Sequence, residues 1–519
     1  MLLSLFSGLL LGLAWYWHLT IFIFFGFVPL LLIEDRIHSA DFLKPGISLL
    51  GYAYVAFLTW NLIVTWWIVY ASVGGACMAF VFNSLFMALV FVLYSTVKKR
   101  IGAFASPFLL IPFWLGWEHI HTLWDLTWSW MNIGNVFAFK HHWIQWYEIT
   151  GVSGGTLWVL CVNIIVFKIL RTTRSLKLFS KPVLKIALAI ISPILLSYGV
   201  GIYREKDTES HGTRVLVVQP NVDPYNVKFY LDYKSQFVKM LNLVRPALTK
   251  QTEYLVLPET FITENINETS LSNDLTIRGF RDSLIHKFPN LKVIVGANTH
   301  AYYENVSEPS ATARKDKKSG KYYDVYNSAI YITSEKTELY HKSKLVPGVE
   351  RMPFPALLKP LEGLAIDMGG TMGSLGTQEE RTVFRDSSTQ TSIAPVICYE
   401  SIYSDYNTGY IRNGADLIFV ITNDGWWEDT PGYKQHLNYA RLRAIENRRE
   451  VARSANTGIS CFIDRFGNIS DQTDWWKEAV IQKDMYPTKQ LTFFSRYGDL
   501  LSYCSVFCSL MLIITNIYF

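Results

Sequence analysis

The sequence predicts a protein of two parts, a membrane bundle of about eight transmembrane helices and a water-soluble α/β layered domain. Three observations favour this fold class. Half of the 519 residues are hydrophobic, more than a single soluble domain usually carries. Apolar runs long enough to approach or cross a bilayer fill residues 1–203 and 500–519. Between them, strand-like apolar runs alternate with charged helical stretches.

The first part contains seven apolar runs, and each is close to the roughly 20 residues that a helix needs to cross the hydrocarbon core. We place these spans near residues 2–16, 19–33, 47–70, 76–94, 102–117, 156–169 and 182–202. An eighth span is predicted at residues 500–519. The first run has no preceding Lys or Arg and no small-residue cleavage pattern, so we interpret it as a span and not as a secretion signal.

Basic residues predict the orientation of these spans, because Lys and Arg are retained on the cytoplasmic side. They gather in alternate loops, notably at residues 98–100 and 168–185, and Lys140 is the clear exception. Both termini are therefore expected in the cytoplasm. The expected domains are residues 1–203 with transmembrane helices 1 to 7, residues 204–499 as a periplasmic catalytic domain, and residues 500–519 as the C-terminal transmembrane helix.

The second part should form alternating strands and helices. Strands are expected at residues 215–218, 254–257, 293–295, 393–397, 417–421 and 459–463. A charged helix is expected over residues 435–454. About 300 residues of this pattern are enough to bury a full core.

Charge and cysteine usage exclude several classes of function. The formal net charge of +5 fits basic cytoplasmic loops, and no dense Lys/Arg stripe accompanies a nucleic-acid motif, so no nucleic-acid partner is expected. The six cysteines form no metal-type pair of clusters and no disulfide framework. Four of them lie in apolar runs, where cysteine behaves as a small hydrophobe, which leaves Cys398 and Cys461 to be judged by their surroundings.

Three strand ends carry unusual polar residues. Glu259 follows an apolar strand and a proline, where α/β sheets display their sites, although an acid at a helix N-terminus is an equal alternative. Lys342 and Lys344 lie in one turn, where lysines are most often solvated. Cys398 ends a buried-type strand beside Glu400, and such a thiol is usually packing unless basic and cationic groups converge on it.

Together, the Glu, Lys and Cys in this order and with these local sequences resemble the carbon-nitrogen hydrolase or nitrilase superfamily across residues 204–499. Residues 422–427, 435–448 and 456–460 extend the resemblance. It implies a nitrilase-like αββα sandwich with Glu259, Lys342 and Cys398 as the catalytic residues. The family register, with lysine two residues after Tyr340, favours Lys342 over Lys344.

With the membrane spans included, the whole chain resembles the apolipoprotein N-acyltransferase family. The start of the outer domain, residues 217–221, also fits that family. Two segments depart from the family pattern: Pro-Phe-Gly-Glu reads Pro-Gly-Val-Glu at residues 347–350, and Asn-Asp-Ala-Trp-Phe reads Asn-Asp-Gly-Trp-Trp at residues 423–427. Both keep the charged or amide residues, so we expect a difference in pocket shape and not in chemistry.

We hypothesise that Glu259 is the general base for Cys398, since a free thiol of pKa about 8.5 is only a few per cent ionised near neutrality. Lys342 would stabilise the thiolate and then the oxyanion. By resemblance, Glu350 would keep that lysine protonated, with Glu400 as the other candidate. Tyr399 and Asn423 are further supporting candidates.

The resemblance implies acyl transfer in two steps, from a phospholipid to Cys398 and then to the α-amine of a lipoprotein's N-terminal S-diacylglyceryl cysteine. Phosphatidylethanolamine is the expected donor. It also implies an enzyme of the bacterial inner membrane, and we expect it to be a monomer without metal or cofactor. Trp426, Trp427 and Phe229 are candidates for lipid docking, because tryptophan favours bilayer interfaces and Phe229 belongs to a segment that could cover the lipid.

Two other functions are alternatives to acyl transfer. A membrane-bound nitrilase-type amidase acting on a small amide would need the same three residues, but eight spans exceed what tethering requires. A catalytically silent lipid-binding scaffold would not need them at all. Labelled phospholipid and a diacylated lipopeptide distinguish acyl transfer from ammonia release, and an acyl adduct on Cys398 excludes the scaffold.

Overall fold

The computed structural model describes residues 1–39, 44–101, 107–173, 180–205, 212–225, 227–228, 232–304, 309–354, 374–386 and 388–518. The chain divides into two compact units, residues 1–206 with 497–519, and residues 207–496. The first unit is helical, and the second is an α/β domain.

The α-helices of the first unit are Leu2–Leu13, Val28–Ser39, Pro45–Thr65, Ile68–Ala71, Val73–Ile101, Leu110–Ile120, Tyr147–Thr172, Lys181–Arg204 and Leu500–Tyr518. Short 3₁₀ segments lie at Trp17–Phe24, Pro107–Leu109, Ser129–Met131 and Ile133–Trp143. Polar side chains link the apolar helices to one another. The Asn83 side-chain amide donates to the Asn61 side-chain carbonyl at 2.7 Å, and Asn163 accepts from the Phe27 backbone N–H at 2.8 Å.

Several of these helices are long and apolar enough to cross a membrane. Among the described residues there are five such segments, His18–Ser39, Pro45–Thr65, Val73–Ile101, Tyr147–Thr172 and Lys181–Arg204. Leu2–Leu13 and Leu500–Asn516 are apolar but shorter. The span expected at residues 102–117 falls partly outside the described residues, and its described helix runs from Leu110 to Ile120. The count of eight spans therefore stays a prediction.

The second unit contains two sheets in its described part. The first has the strand order β14 (Ala479–Met485), β1 (Thr213–Gln219), β2 (Tyr254–Val256), β4 (Lys292–Tyr302), β6 (Tyr322–Ile332), β5 (Arg314–Lys315). In addition, β3 (Ile262–Asn267) pairs with β4 and β7 (Thr337–His341) pairs with β6. The second sheet has the order β13 (Ile469–Ser470), β12 (Cys461–Ile463), β11 (Val451–Ala455), β10 (Leu417–Thr422), β9 (Ser392–Ile397), β8 (Phe384–Arg385).

The strands before Glu259, Cys398 and Asn423 each run parallel to at least one neighbour, whereas β7, which precedes Lys342, is antiparallel to β6. In the first sheet β2 is parallel to β1 and β4, and in the second β10 is parallel to β9 and β11. The carboxyl ends of parallel strands share one edge of a sheet, which is where α/β proteins place their sites.

The two sheets pack on each other, and helices cover their outer faces. Tyr254 of β2 meets Phe419 of β10 edge-on at 5.6 Å, and the Ser454 hydroxyl of β11 donates to the Val218 carbonyl of β1 at 2.8 Å. Helices Tyr233–Val244 and Leu275–Phe280 bury Met240 and other apolar side chains against the first sheet. Helices Ser404–Arg412 and Pro431–Asn447 contact the second sheet. The layer order is therefore helix, sheet, sheet, helix.

The strands expected from sequence are confirmed, although that at 459–463 begins at Cys461. The helix expected over residues 435–454 is wrong at its C-terminal end. The helix ends at Asn447, where Arg448 takes a left-handed φ of 49°, and Val451–Ala455 forms β11 beside β10. The prediction assumed that charged residues are solvated on a helix surface. Arg453 is instead fully buried and ion-paired in that strand.

Candidate active site

Glu259 is presented by a tight turn after β2. The strand ends at Val256, and Thr260 takes a left-handed φ of 48°. This turn lies directly against β4, where Gly296 is required. A Cβ at Gly296 would come within 2.6 Å of the Glu259 Cα, so any larger residue there would displace the turn. The Glu259 side chain is itself buried.

Lys342 follows β7 and lies between two carboxylates. Its ammonium donates to Glu259 Oε1 at 2.9 Å and to Glu350 Oε1 at 2.8 Å. The Asn327 side-chain amide of β6 donates to the same two oxygens, at 2.8 and 3.1 Å. The structure thus brings together one ammonium, one amide and two carboxylates from sequence-distant segments.

The charges of this cluster support one another. Burial disfavours the ammonium of Lys342, but Glu259 and Glu350 hold its pKa well above the usual range. Burial also opposes ionisation of Glu259, yet Lys342 and the Asn327 hydrogen bond lower its pKa below the ordinary value. Both groups are therefore charged near neutral pH.

Cys398 is the first residue after β9, and its backbone is left-handed with a φ of 48°. The residue as a whole is partly exposed, whereas its sulfur lies in buried surroundings. Burial of the sulfur raises the pKa of the thiol well above its ordinary value, and the Glu259 carboxylate raises it further, while Lys342 acts in the opposite direction. The resting group is therefore a thiol.

Glu400 connects the segment before Cys398 to the segment after Lys342. Its carboxylate accepts from the Ile397 N–H at 2.8 Å, just before the cysteine, and from the Ser343 N–H at 2.7 Å, just after Lys342. The Tyr340 hydroxyl donates to it at 2.5 Å. Burial raises the pKa of Glu400. These hydrogen bonds join the segment before Cys398 to the segment after Lys342, while Glu350 contacts the Lys342 ammonium itself.

The remaining candidates lie around these groups. The Lys344 ammonium lies over the Tyr403 ring, 5.1 Å from its centre, whereas Lys342 occupies the carboxylate cluster. Tyr399 is buried, with its ring 5.3 Å from Tyr403. Asn423 is buried after β10 and accepts a 3.2 Å hydrogen bond from the Asn456 amide.

The two tryptophans proposed for lipid docking are half-buried. Trp426 meets Tyr225 edge-on at 5.3 Å, and Trp427 meets His436 edge-on at 5.5 Å. Phe229 lies outside the described residues.

A buried polar cluster beside Cys398 has no role assigned from sequence. His436 Nε2 lies 3.1 Å from the Cys398 carbonyl oxygen, and His436 Nδ1 lies 2.9 Å from Asp424. Arg453 donates to the other oxygen of Asp424 at 2.7 Å. Burial opposes ionisation of Asp424, but Arg453 and His436 hold its pKa far below the usual range. The motifs containing Asp424 and His436 were visible in sequence, but their proximity to Cys398 was not.

Two further site residues were missed from sequence. Asn327 is a polar residue within a strand and carries no local signal. Lys228 is 1% exposed, and its ammonium donates to the Glu259 carbonyl oxygen at 3.0 Å and to the Thr260 hydroxyl at 2.6 Å. Within the described ranges, no group of three or more His, Cys, Asp and Glu residues is placed to hold a metal ion.

The two-sheet fold and the Glu–Lys–Cys arrangement define a class of protein. Residues 214–488 match the family model described as carbon-nitrogen hydrolase, more than half of the chain, which places it in that class. Residues 7–165 match the model described as the apolipoprotein N-acyltransferase N-terminal domain.

Curated relatives narrow the assignment. The chain is 31% identical over 517 residues to the apolipoprotein N-acyltransferase of Chlorobaculum tepidum, covering 96% of this chain and 93% of that protein. It is 26% identical over 498 residues to the enzyme of the same name from Geobacter metallireducens, covering 92% and 88%. The chain belongs to the apolipoprotein N-acyltransferase family, which confirms the resemblance seen in its motifs. It is therefore an acyltransferase, and its long apolar helices make it a membrane protein.

Proposed function

We propose that this protein moves a fatty acyl chain from a phospholipid, through a thioester on Cys398, to the α-amino group of the N-terminal S-diacylglyceryl cysteine of lipoproteins. The buried cluster of Glu259, Lys342 and Glu350 at the carboxyl edge of the sheets, electrostatically coupled to Cys398, carries this proposal. Such a cluster offers a base, a fixed cation and a nucleophile, which are the groups that ping-pong acyl transfer requires.

In the first step Glu259 accepts the Cys398 proton while the sulfur attacks the ester carbonyl of the phospholipid. The Lys342 ammonium stabilises the oxyanion of the tetrahedral intermediate. When that intermediate collapses, the C–O bond breaks, Glu259 gives its proton to the leaving oxygen, and lysophospholipid departs. Cys398 then carries the acyl chain as a thioester.

In the second step the lipoprotein's neutral α-amine attacks the thioester, and Glu259 accepts the amine proton. The C–S bond breaks, the proton returns to Cys398, and the amide product leaves. The base and the oxyanion stabiliser serve both steps, so one site can process two bulky lipids in turn.

We further propose phosphatidylethanolamine as the donor and the bacterial inner membrane as the location. The basic loops at residues 98–100 and 168–185 support cytoplasmic termini, eight spans and a periplasmic catalytic domain at residues 204–499 between spans at 1–203 and 500–519. Extracting a lipid from the bilayer costs about 0.8 kcal/mol for each exposed methylene, so a membrane-anchored site is favoured over a free one. The half-buried Trp426 and Trp427 are the candidate lipid contacts, and Phe229 belongs to the same hypothesis.

The experiment is mass spectrometry of the purified full chain after incubation with phosphatidylethanolamine. We expect one fatty acyl adduct on Cys398, absent from Cys398→Ser and retained by Cys461→Ser, the matched control at a fully buried thiol. Adding a diacylated lipopeptide should remove the adduct and yield acylated peptide. Acylated peptide produced by Cys398→Ala would overturn the proposal, and ammonia release from small amides without transfer would support the amidase instead.

The orientation has its own test. A Lys317→Cys variant places a thiol on an exposed turn of the catalytic domain. We expect a membrane-impermeant maleimide to label it in intact spheroplasts. Labelling only after the membrane is broken would contradict the periplasmic placement.

A further inference from the structure

We propose that Lys228 is a second cation of the catalytic site, which positions Glu259 and keeps its carboxylate ionised. The inference rests on the proposed function of Glu259 as the base for Cys398. It begins with geometry, because the Lys228 ammonium binds the Glu259 carbonyl oxygen at 3.0 Å and the Thr260 hydroxyl at 2.6 Å. These are two successive residues of the turn that presents the carboxylate.

Lys228 is itself held in place by its backbone. Its N–H donates to the Asp223 carbonyl at 2.8 Å, and its carbonyl accepts from the Gln236 side chain at 2.7 Å. The turn that it binds is strained, since Thr260 has a φ of 48°. A fixed ammonium at this point therefore holds Glu259 in the position that the close approach at Gly296 permits.

The balance of charge gives the second argument. Glu259 and Glu350 place two carboxylates around one ammonium, Lys342, and the thiol in front of them must become an anion. With Lys228, two cations act on the Glu259 carboxylate, Lys342 and Lys228. Burial lowers the pKa of Lys228 to about 8, while Glu259 and Cys398 act in the opposite direction, so the group is a cation near pH 7 and loses its charge above pH 8. An ammonium so deeply buried is costly without such partners.

The groups that face Glu259 come from every element around it. They are Lys342 after β7, Asn327 of β6, Lys228, and Cys398 after β9, while Glu350 lies beyond Lys342 and Asp424 beyond Cys398. Among these, only the two lysines carry positive charge close to the carboxylate. Removing Lys228 should therefore make Glu259 easier to protonate, whereas loss of packing alone should not.

The test measures the rate at which iodoacetamide alkylates Cys398 in the full chain between about pH 3 and 9, by mass spectrometry. Alkylation needs the thiolate but neither lipid substrate, so it reports on the base without acyl transfer. We expect Lys228→Met to move the acidic limb of the profile up by about one pH unit or more, so alkylation should slow much more at pH 5 than at pH 8. Lys228→Arg should restore the limb because the charge is kept.

Two further variants separate charge from packing. Thr260→Val removes one acceptor of the ammonium but no charge, so it should slow alkylation several-fold with an unmoved limb. Lys292→Met removes another buried lysine, paired with Asp386 at 2.6 Å at the opposite end of the parallel strands, and should leave the profile unchanged. The inference is overturned if the acidic limb of the alkylation profile lies at the same pH in Lys228→Met and in the wild type. A shifted limb in a protein that forms no acyl adduct would instead reject the proposed function and keep the role of Lys228.

Discussion

Replacing Lys342 by methionine should raise the pKa of Glu259, so that the proposed base is protonated at a higher pH. The ammonium lies 2.9 Å from Glu259 and 2.8 Å from Glu350. At an effective dielectric constant of about 20, unit charges about 4 Å apart attract by about 4 kcal/mol. One pH unit corresponds to about 1.4 kcal/mol, so losing this attraction would raise the pKa of Glu259 by about 3 pH units. The remaining Asn327 and Lys228 contacts reduce this to about 2 pH units, and the acidic limb of Cys398 alkylation should move up by that amount.

Stability should change in the same pH range. In the wild type the pKa of Glu259 in the folded state lies below its unfolded-state value of 4.5. The ionised group therefore stabilises the fold above pH 4.5, and this contribution is lost as the pH falls through the folded-state pKa. In Lys342→Met the folded pKa is raised, so stability is lost as the pH rises from that unfolded value. The deficit of the variant should therefore grow from pH 5 to pH 8, towards the 3–5 kcal/mol or so typical of a broken buried pair.

Both effects can be measured on one preparation. The pH profile of the Cys398 alkylation rate gives the position of the acidic limb. Denaturant unfolding of the detergent-solubilised protein at pH 5, 6, 7 and 8 gives the difference in unfolding free energy between variant and wild type. Lys292→Met is the control, since it breaks a buried pair with Asp386 at 2.6 Å away from the site. A deficit equal at pH 5 and pH 8, together with an unmoved limb, would refute the reasoning.

Two other substitutions test how the fold supports the site. Gly296→Ala places a Cβ 2.6 Å from the Glu259 Cα, so acyl transfer should fall about 10- to 100-fold. The control is Gly279→Ala, where the nearest neighbouring atom lies at 3.6 Å, and this variant should retain activity. Full activity in Gly296→Ala would contradict the steric argument. Asp424→Asn leaves the buried guanidinium of Arg453 without its 2.7 Å counter-charge and should cost about 3–5 kcal/mol in denaturant unfolding, and a loss below about 1 kcal/mol would show that the pair is dispensable.

The errors and omissions of the sequence-based view share one cause. Charged residues are normally solvated, so a pattern rich in Arg and Glu after residue 435 indicated a helix continuing to 454. Arg453 instead lies on β11, with its guanidinium buried against the Asp424 carboxylate. The same reasoning hid Lys228, since a lysine in a loop gives no local sign that its ammonium is buried against Glu259.

The sequence by itself determined the α/β alternation, the apolar helices and the strand ends at which Glu259 and Cys398 stand, because hydrophobic periodicity and local motifs are encoded over a few residues. It also determined the family. Only the tertiary structure decided which polar groups meet: Lys342 reaches Glu259 across 83 residues of sequence, and the register of β6 sets Asn327 beside both carboxylates. Contacts of that kind depend on how distant strands order within a sheet, and no local pattern records it.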